Sequence, residues 1–190
     1  MKVGLNGLSQ GGLLCAALLS ALLAGPAAGD EVKGFIVPHD SAPHYGGPLG
    51  GEGNTAEVLA TRSQTGGVFG VWRSNIEPEF GPPLHIHKEE DEFFYVLSGE
   101  FALQLGDCVQ RVQAGAFAFI PKNAPHTYRK TAAGPGVLLG VVSPGGFESF
   151  FEQLPGADDA KVGALAADHA MDAVGPPIDL GTLGEKAAGC

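Results

Sequence analysis

The sequence predicts an all-β fold, an antiparallel sandwich or barrel with one or two short helices at its C-terminal side. Three observations lead there. The 190 residues include 30 glycines and 14 prolines, interleaved with apolar residues rather than gathered in one tract. Short apolar or alternating runs recur between turn-forming pairs such as Ser98-Gly99, Gly106-Asp107 and Gly134-Pro135-Gly136. No helical periodicity separates these runs until residue 147 is reached, and strands without crossover helices pair antiparallel.

The elements follow in order. Residues 1–29 carry Lys2, an apolar stretch over 13–24 and the small-residue exit Gly25-Pro26-Ala27-Ala28-Gly29. That is the pattern of a secretory signal peptide, because a membrane span needs about 20 apolar residues. Residues 30–54 form an N-terminal arm ending in a Gly-rich loop over 46–53. Strand runs then occupy 55–61, 67–76, 83–87, 91–97, 101–105, 108–112, 117–120, 126–130 and 137–143. Phe147, Phe150, Phe151 and Leu154 recur at helical spacing, with Glu148 and Glu152 on the other side, so a short helix caps the barrel and closes a 55–154 domain. A second helix covers 158–171, with Asp158 and Asp159 at its N-terminus where acids favour the helix dipole. The tail from Gly175 to the C-terminus of the 155–190 segment is loosely ordered.

Composition bounds the function. A chain of this length that is 44% hydrophobic supports one domain with a core. Acidic residues outnumber basic ones by 21 to 11, for a net charge of −10 and a pI near 4.9, so nucleic acid and, after processing, membrane surfaces are excluded as partners. Cys15 leaves with the leader. Cys108 and Cys190 either form one disulfide or remain two thiols.

The chemistry concentrates in His85-Ile86-His87, Glu92 and His126. Residues i and i+2 of a strand share a face, so both imidazoles of the pair reach one point. A carboxylate opening the next strand supplies a third ligand, and His126, after the Pro121–Pro125 turn, a fourth. If Glu92 faces inward, so do Phe94 and Val96, and from His126 the next inward residue is Tyr128. Phe94 and Tyr128 are therefore candidates for substrate contact beside these residues, the plainer reading being that Phe94 and Val96 are barrel core. Trp72 and Phe69 fall on opposite faces of one strand, and the sequence leaves open which faces in. His39, His44 and His169 read as surface or loop residues.

These residues resemble the cupins, small metal-binding jelly-roll barrels. The first cupin motif is matched by His85, His87, Glu92 and Gly99, although its leading Gly slot holds Glu79. The second is matched by Gly115, Pro121 and His126, with Asn123 in place of a Gly and Lys130 in place of the final Asn. The resemblance implies a jelly roll in which His85, His87, Glu92 and His126 hold one divalent transition metal, Fe, Mn, Co, Ni or Cu. Within the cupins, the segments around Pro82-Pro83, Asp91–Leu97 and Ser143–Glu148 look like the single-domain quercetin 2,3-dioxygenase-like group. That likeness implies dioxygen and a small enol such as a flavonol as partners, Glu92 also moving the substrate proton, and it leaves room for a homodimer. A cupin acting on a small carboxylic acid such as oxalate, and a non-catalytic cupin that binds metal or a small ligand, are the alternative readings.

Overall fold

The computed structural model describes Met1 and residues 31–46, 53–131 and 134–182, and it divides into two units, Met1–Glu31 and Val32–Cys190. Everything below concerns the second unit. The proposed leader, Cys15 and Cys190 lie outside the described residues. Cys108 is disulfide-bonded. No helix among the described residues is long and apolar enough to cross a membrane.

Two antiparallel sheets face each other as a jelly roll. The first has the order β1-β2-β3-β10-β5-β8, built from His44–Gly46, Thr55–Ala60, Gly70–Ile76, Gly136–Ser143, Asp91–Ser98 and Phe117–Ile120. The second has the order β11-β4-β9-β6-β7, built from Met171–Gly175, Leu84–His87, His126–Lys130, Glu100–Leu105 and Cys108–Gln113. Nine of these strands lie where the alternating runs predict them. The run starting at 67 begins its strand only at Gly70, because Gly66 and Gly67 adopt positive φ (64° and 88°) and belong to the preceding turn.

Alternation sets what each strand buries. Along β3 the buried residues are Gly70, Trp72, Ser74 and Ile76. Trp72 therefore faces in, at 3% exposure, while Phe69 lies before the strand and is largely exposed. On β5, Glu92, Phe94 and Val96 face the interior, and Tyr95 and Leu97 face out beside Phe117 and Phe119 of β8.

Two strands lie beyond the predicted nine. β1 emerges from the N-terminal arm, pairing His44 with Glu57 and Tyr45 with Ala56. It is three residues long, too short for a periodic signal. β11 follows α2 (Asp159–Asp168) where the sequence predicts helix as far as 171. The helix stops early because Ala170 takes a left-handed conformation (φ 53°), which reverses the chain and lays Met171–Gly175 against β4. The described part of the tail, to residue 182, holds a buried Ile178 and a 3-10 turn at Leu180–Thr182.

Both helices cap one end of the barrel. α1 (Ser149–Gln153) and the residues flanking it bury Phe147, Phe150 and Leu154. The N-cap of α2 is Asp158, whose carboxylate accepts from Lys161 N–H at 2.8 Å, as the acidic start predicts. Glu148 departs from the expected outward face: it is 2% exposed. It precedes the first turn of α1, and its carboxylate accepts the backbone N–H of Arg62 at 2.5 Å and of Gly146 at 2.7 Å. Gly70 leaves the space for it, since a Cβ there would collide with the Glu148 carboxylate.

Candidate metal centre and its cavity

His85 and His87 lie on β4, His126 lies on β9 in register with His85, and Glu92 opens β5 on the opposite sheet. Three imidazoles from one sheet thus meet one carboxylate from the other, between the layers. All four are buried, between 1% and 7% exposed, and offer ligand atoms within 4.8 Å of one another. Glu92 Oε2 is 2.6 Å from His126 Nε2 and 3.7 Å from His87 Nε2.

Two histidines have their tautomers fixed from behind. His85 Nδ1 lies 2.8 Å from Pro83 O and His126 Nδ1 lies 2.9 Å from Ala124 O. A carbonyl only accepts, so each Nδ1 carries the proton; His85 Nε2 presents its lone pair to the cluster, and His126 Nε2 does so once the proton it donates to Glu92 is displaced. His87 differs. Neither of its ring nitrogens has a hydrogen-bond partner, although the ring is buried against Phe147 in an edge contact of 4.3 Å. A buried imidazole nitrogen without a partner is costly to desolvate and is offset by a ligand that takes its lone pair. That orphaned Nε2, the fixed tautomers and the one carboxylate fit a transition metal.

The electrostatics run the same way. Burial first, and then His126, push the His85 pKa down to about 4; burial likewise lowers His87. Both are neutral and ligand-ready at pH 7. Burial opposes the charge on Glu92, yet His87 and then His126 hold its carboxyl below the usual range. Burial also opposes a charged His126, but the Glu92 hydrogen bond outweighs it and raises the pKa. Beside the cluster, burial and then Glu89 push Glu90 up to about 7.

A cavity of about 360 Å³ opens onto His85 and Glu92. Its walls include Tyr45, Trp72, Phe94, Tyr128, Phe147 and Phe151, with Val162, Ala166 and Met171 closing it from the C-terminal segment. No Lys or Arg is among its described lining residues. Phe94 and Tyr128 both line it, as parity predicts. Tyr45, on the unpredicted β1, and the α2 residues are wall elements that sequence reasoning missed, because their packing partners are far away in sequence. Burial raises the pKa of the Tyr128 phenol, which stays neutral and able to donate.

The three histidines outside the motifs stand apart from the cluster. His39 is exposed beside Asp40, His44 sits half-exposed on β1, and His169 joins α2 to α1 through Ser149 Oγ at 2.9 Å. Asp40, His44 and Glu57 also lie close together, but Arg73 already occupies that group, 2.6 Å from Glu57 and 3.7 Å from Asp40.

The comparisons agree with this architecture. Residues 72–142 match the model of the cupin domain. The chain is 30% identical over 101 residues to protein SchB of Streptomyces halstedii, covering 53% of this chain and 71% of SchB. It is 31% identical over 99 residues to quercetin 2,3-dioxygenase of Bacillus subtilis, covering 51% of this chain but 28% of that enzyme. Apart from SchB, the chain spans half or less of the length of the curated relatives it matches. An RmlC-like cupin from Shewanella frigidimarina superposes with a TM-score of 0.51 at 18% identity, over 59% of this chain and 92% of that one. With its two facing sheets, its motif residues at one point and these matches, the chain belongs to the cupin superfamily.

Proposed function

We propose that this chain is a metal-dependent, exported dioxygenase acting on an aromatic enol such as a flavonol, with His85, His87, Glu92 and His126 as the metal ligands. The observation that carries the reading is the cavity. It is walled by aromatic rings, has no Lys or Arg among its described lining residues, and ends on His85 and Glu92. Such a space favours a flat, mostly apolar molecule with one polar edge. Oxalate, small and doubly negative, finds no cationic side chain among the described lining residues and would leave most of the space unfilled.

The bound metal supplies the Lewis acidity that favours an enolate and the redox activity that dioxygen chemistry needs. The chain's own residues do the rest. Glu92, held ionised beside three imidazoles, accepts the enol proton. Phe94 and Trp72 flank the ring, Tyr128 donates to a substrate oxygen, and the α2 and β11 side chains exclude water. The distant likeness to quercetin 2,3-dioxygenases supports this class of chemistry.

The test is oxygen uptake by protein loaded in turn with Fe, Mn, Co, Ni and Cu, offered flavonols, other enols and oxalate. Uptake with an enol is expected. Replacing Glu92→Gln at equal metal content should lower turnover by roughly 10²- to 10⁴-fold, the usual loss of general-base assistance. Metal bound with no turnover on any substrate would instead make the chain a binding protein. Export is supported by the leader-like pattern of residues 1–29. Natural protein should begin near Asp30, and an intact Met1 in a cytoplasmic fraction would overturn that part.

A further inference from the structure

Glu90 has no place in the cupin motifs, yet it lies in the short turn between the strands that carry His87 and Glu92. Its side chain is 8% exposed, and its Oε2 has no hydrogen-bond partner. Its one ion-pair contact among the described residues is His87 Nδ1, at 3.8 Å. That nitrogen also lacks a partner. Two buried polar atoms, each unsatisfied, therefore face each other on the side of the imidazole turned away from Glu92.

The other two histidines explain why this matters. His85 and His126 are braced at Nδ1 by the carbonyls of Pro83 and Ala124, residues that precede β4 and β9. His87 is the last residue of β4, and no carbonyl braces its Nδ1. Phe147 restricts the ring sterically but offers no acceptor. Burying a carboxylate oxygen without a partner costs stability, so this placement does not serve the fold of the metal-free protein.

We infer that Glu90 is a positioning residue: when metal binding closes the 3.8 Å gap, its carboxylate accepts the Nδ1 proton of His87 and thereby fixes the tautomer and ring orientation that present Nε2 as a metal ligand. This rests on the metal reading above. The three histidines are then braced by two devices, two by backbone and one by a side chain that substitution can remove. Outer-sphere acceptors of this kind typically change metal affinity by 10- to 100-fold.

The experiment uses Co(II) as probe on full-length wild type, Glu90→Ala and Glu90→Gln. Affinity is measured by chelator competition, the ligand field by the visible spectrum of bound Co(II), and the stability of metal-free protein by denaturant unfolding. Glu90→Ala should bind Co(II) 10- to 100-fold more weakly with an altered spectrum, while its metal-free form is as stable as wild type or more so. Glu90→Gln, which keeps a carbonyl acceptor, should recover part of the affinity. Equal affinity and equal spectra in wild type and Glu90→Ala would overturn the inference and leave the metal site standing. Weaker binding that tracks a matching loss of metal-free stability, with no recovery in Glu90→Gln, would also overturn it by making the role structural. A wild type that binds no metal would overturn the site itself, and this inference with it.

Discussion

The two ends of the barrel interior are built from the same strands and behave as opposites. At one end Ile76, Val96, Phe101 and Leu138 are each at most 1% exposed and pack into a closed cluster, with the Lys130 ammonium 5.7 Å from the Phe101 ring centre. At the other, Trp72 and Phe94 line a cavity with Phe147 and Phe150 from the capping segment and the His/Glu cluster at its edge; Val142 belongs to the same core cluster, and Ile76 lines the cavity from the closed side. β3 contributes Trp72 to one and Ile76 to the other; β5 contributes Phe94 and Val96; β10 contributes Val142 and Leu138. Inward alternation is therefore common to both ends. What separates them is the cover: the closed end fills itself, whereas the open end is roofed by α1, α2 and β11, which stand off far enough to leave space. Tyr128 packs against both clusters and marks the border.

The largest test of that division is Phe101→Ala. Removing a fully buried ring at the closed end should cost about 3–5 kcal/mol of unfolding free energy, read by chemical denaturation. Metal content of the folded protein should not change. A fall in metal per folded chain would show that the two ends are one mechanical unit.

The open end should respond to pH, and the closed end should not. His126 has a raised pKa, so the metal-free site holds a proton there that a metal must displace. Metal affinity should then fall about tenfold per pH unit as pH drops below that raised value. A second fall is expected near pH 4, when His85 takes up its proton. Stability of the metal-free protein carries the opposite sign. A histidine with a folded pKa above its unfolded one contributes stability that is complete below the unfolded value and lost as pH rises through the folded one. Above about pH 7, where His85 and His87 are mostly neutral folded and unfolded, Co(II) affinity should therefore rise with pH while metal-free stability, measured by unfolding, falls as His126 loses its proton. Parallel slopes would remove His126 as the proton competitor.

A smaller effect is expected at the border. Among the described residues the Tyr128 hydroxyl makes no hydrogen bond, so it is free to meet substrate. Tyr128→Phe should raise KM by roughly 2- to 10-fold, the worth of one neutral hydrogen bond, and leave kcat and stability nearly unchanged. An unchanged KM would make Tyr128 a packing residue shared by the two clusters.

Much of this was legible before any coordinates. Nine strands were readable because all runs but the pair joined by Lys88-Glu89-Glu90 are separated by Gly, Pro or Asn turns, and the four clustered residues because a His-x-His pair and a strand-opening Glu carry their geometry in their spacing. Phe94 and Tyr128 followed from parity alone. The roof was not legible. β11 hides behind a helical pattern that Ala170 breaks by conformation rather than composition, and β1 has three residues. The roles of Glu148 and Glu90 were not legible because what they meet, the backbone of Arg62 and the far nitrogen of His87, depends on how loops return to the sheet. Long-range placement of polar groups leaves no local period to detect.

The two substituted glycine slots of the motifs supply the last and smallest prediction. Asn123 adopts φ 65°, a conformation that asparagine tolerates, and Glu79 adopts φ 62°, which it tolerates poorly. The turn after β3 therefore keeps the left-handed backbone that the motif glycine would provide, and it does so because Glu79 N–H donates to Lys130 O at 3.1 Å while Lys130 N–H donates to Phe80 O at 2.9 Å. These bonds tie the turn to β9 beside the closed end, where Phe80 packs on its cluster. Relieving a left-handed non-glycine residue returns about 1–2 kcal/mol. The extra freedom of glycine in the unfolded chain takes back roughly 0.5–1 kcal/mol. Glu79→Gly should thus stabilise the protein by up to about 1 kcal/mol in denaturant unfolding, with metal affinity unchanged because Glu79 bonds to Lys130 rather than to a residue of the cluster. A destabilised variant would show that the Glu79 side chain itself holds the turn, and a change in metal affinity would mean that strain at the closed end is transmitted to the ligands through β9.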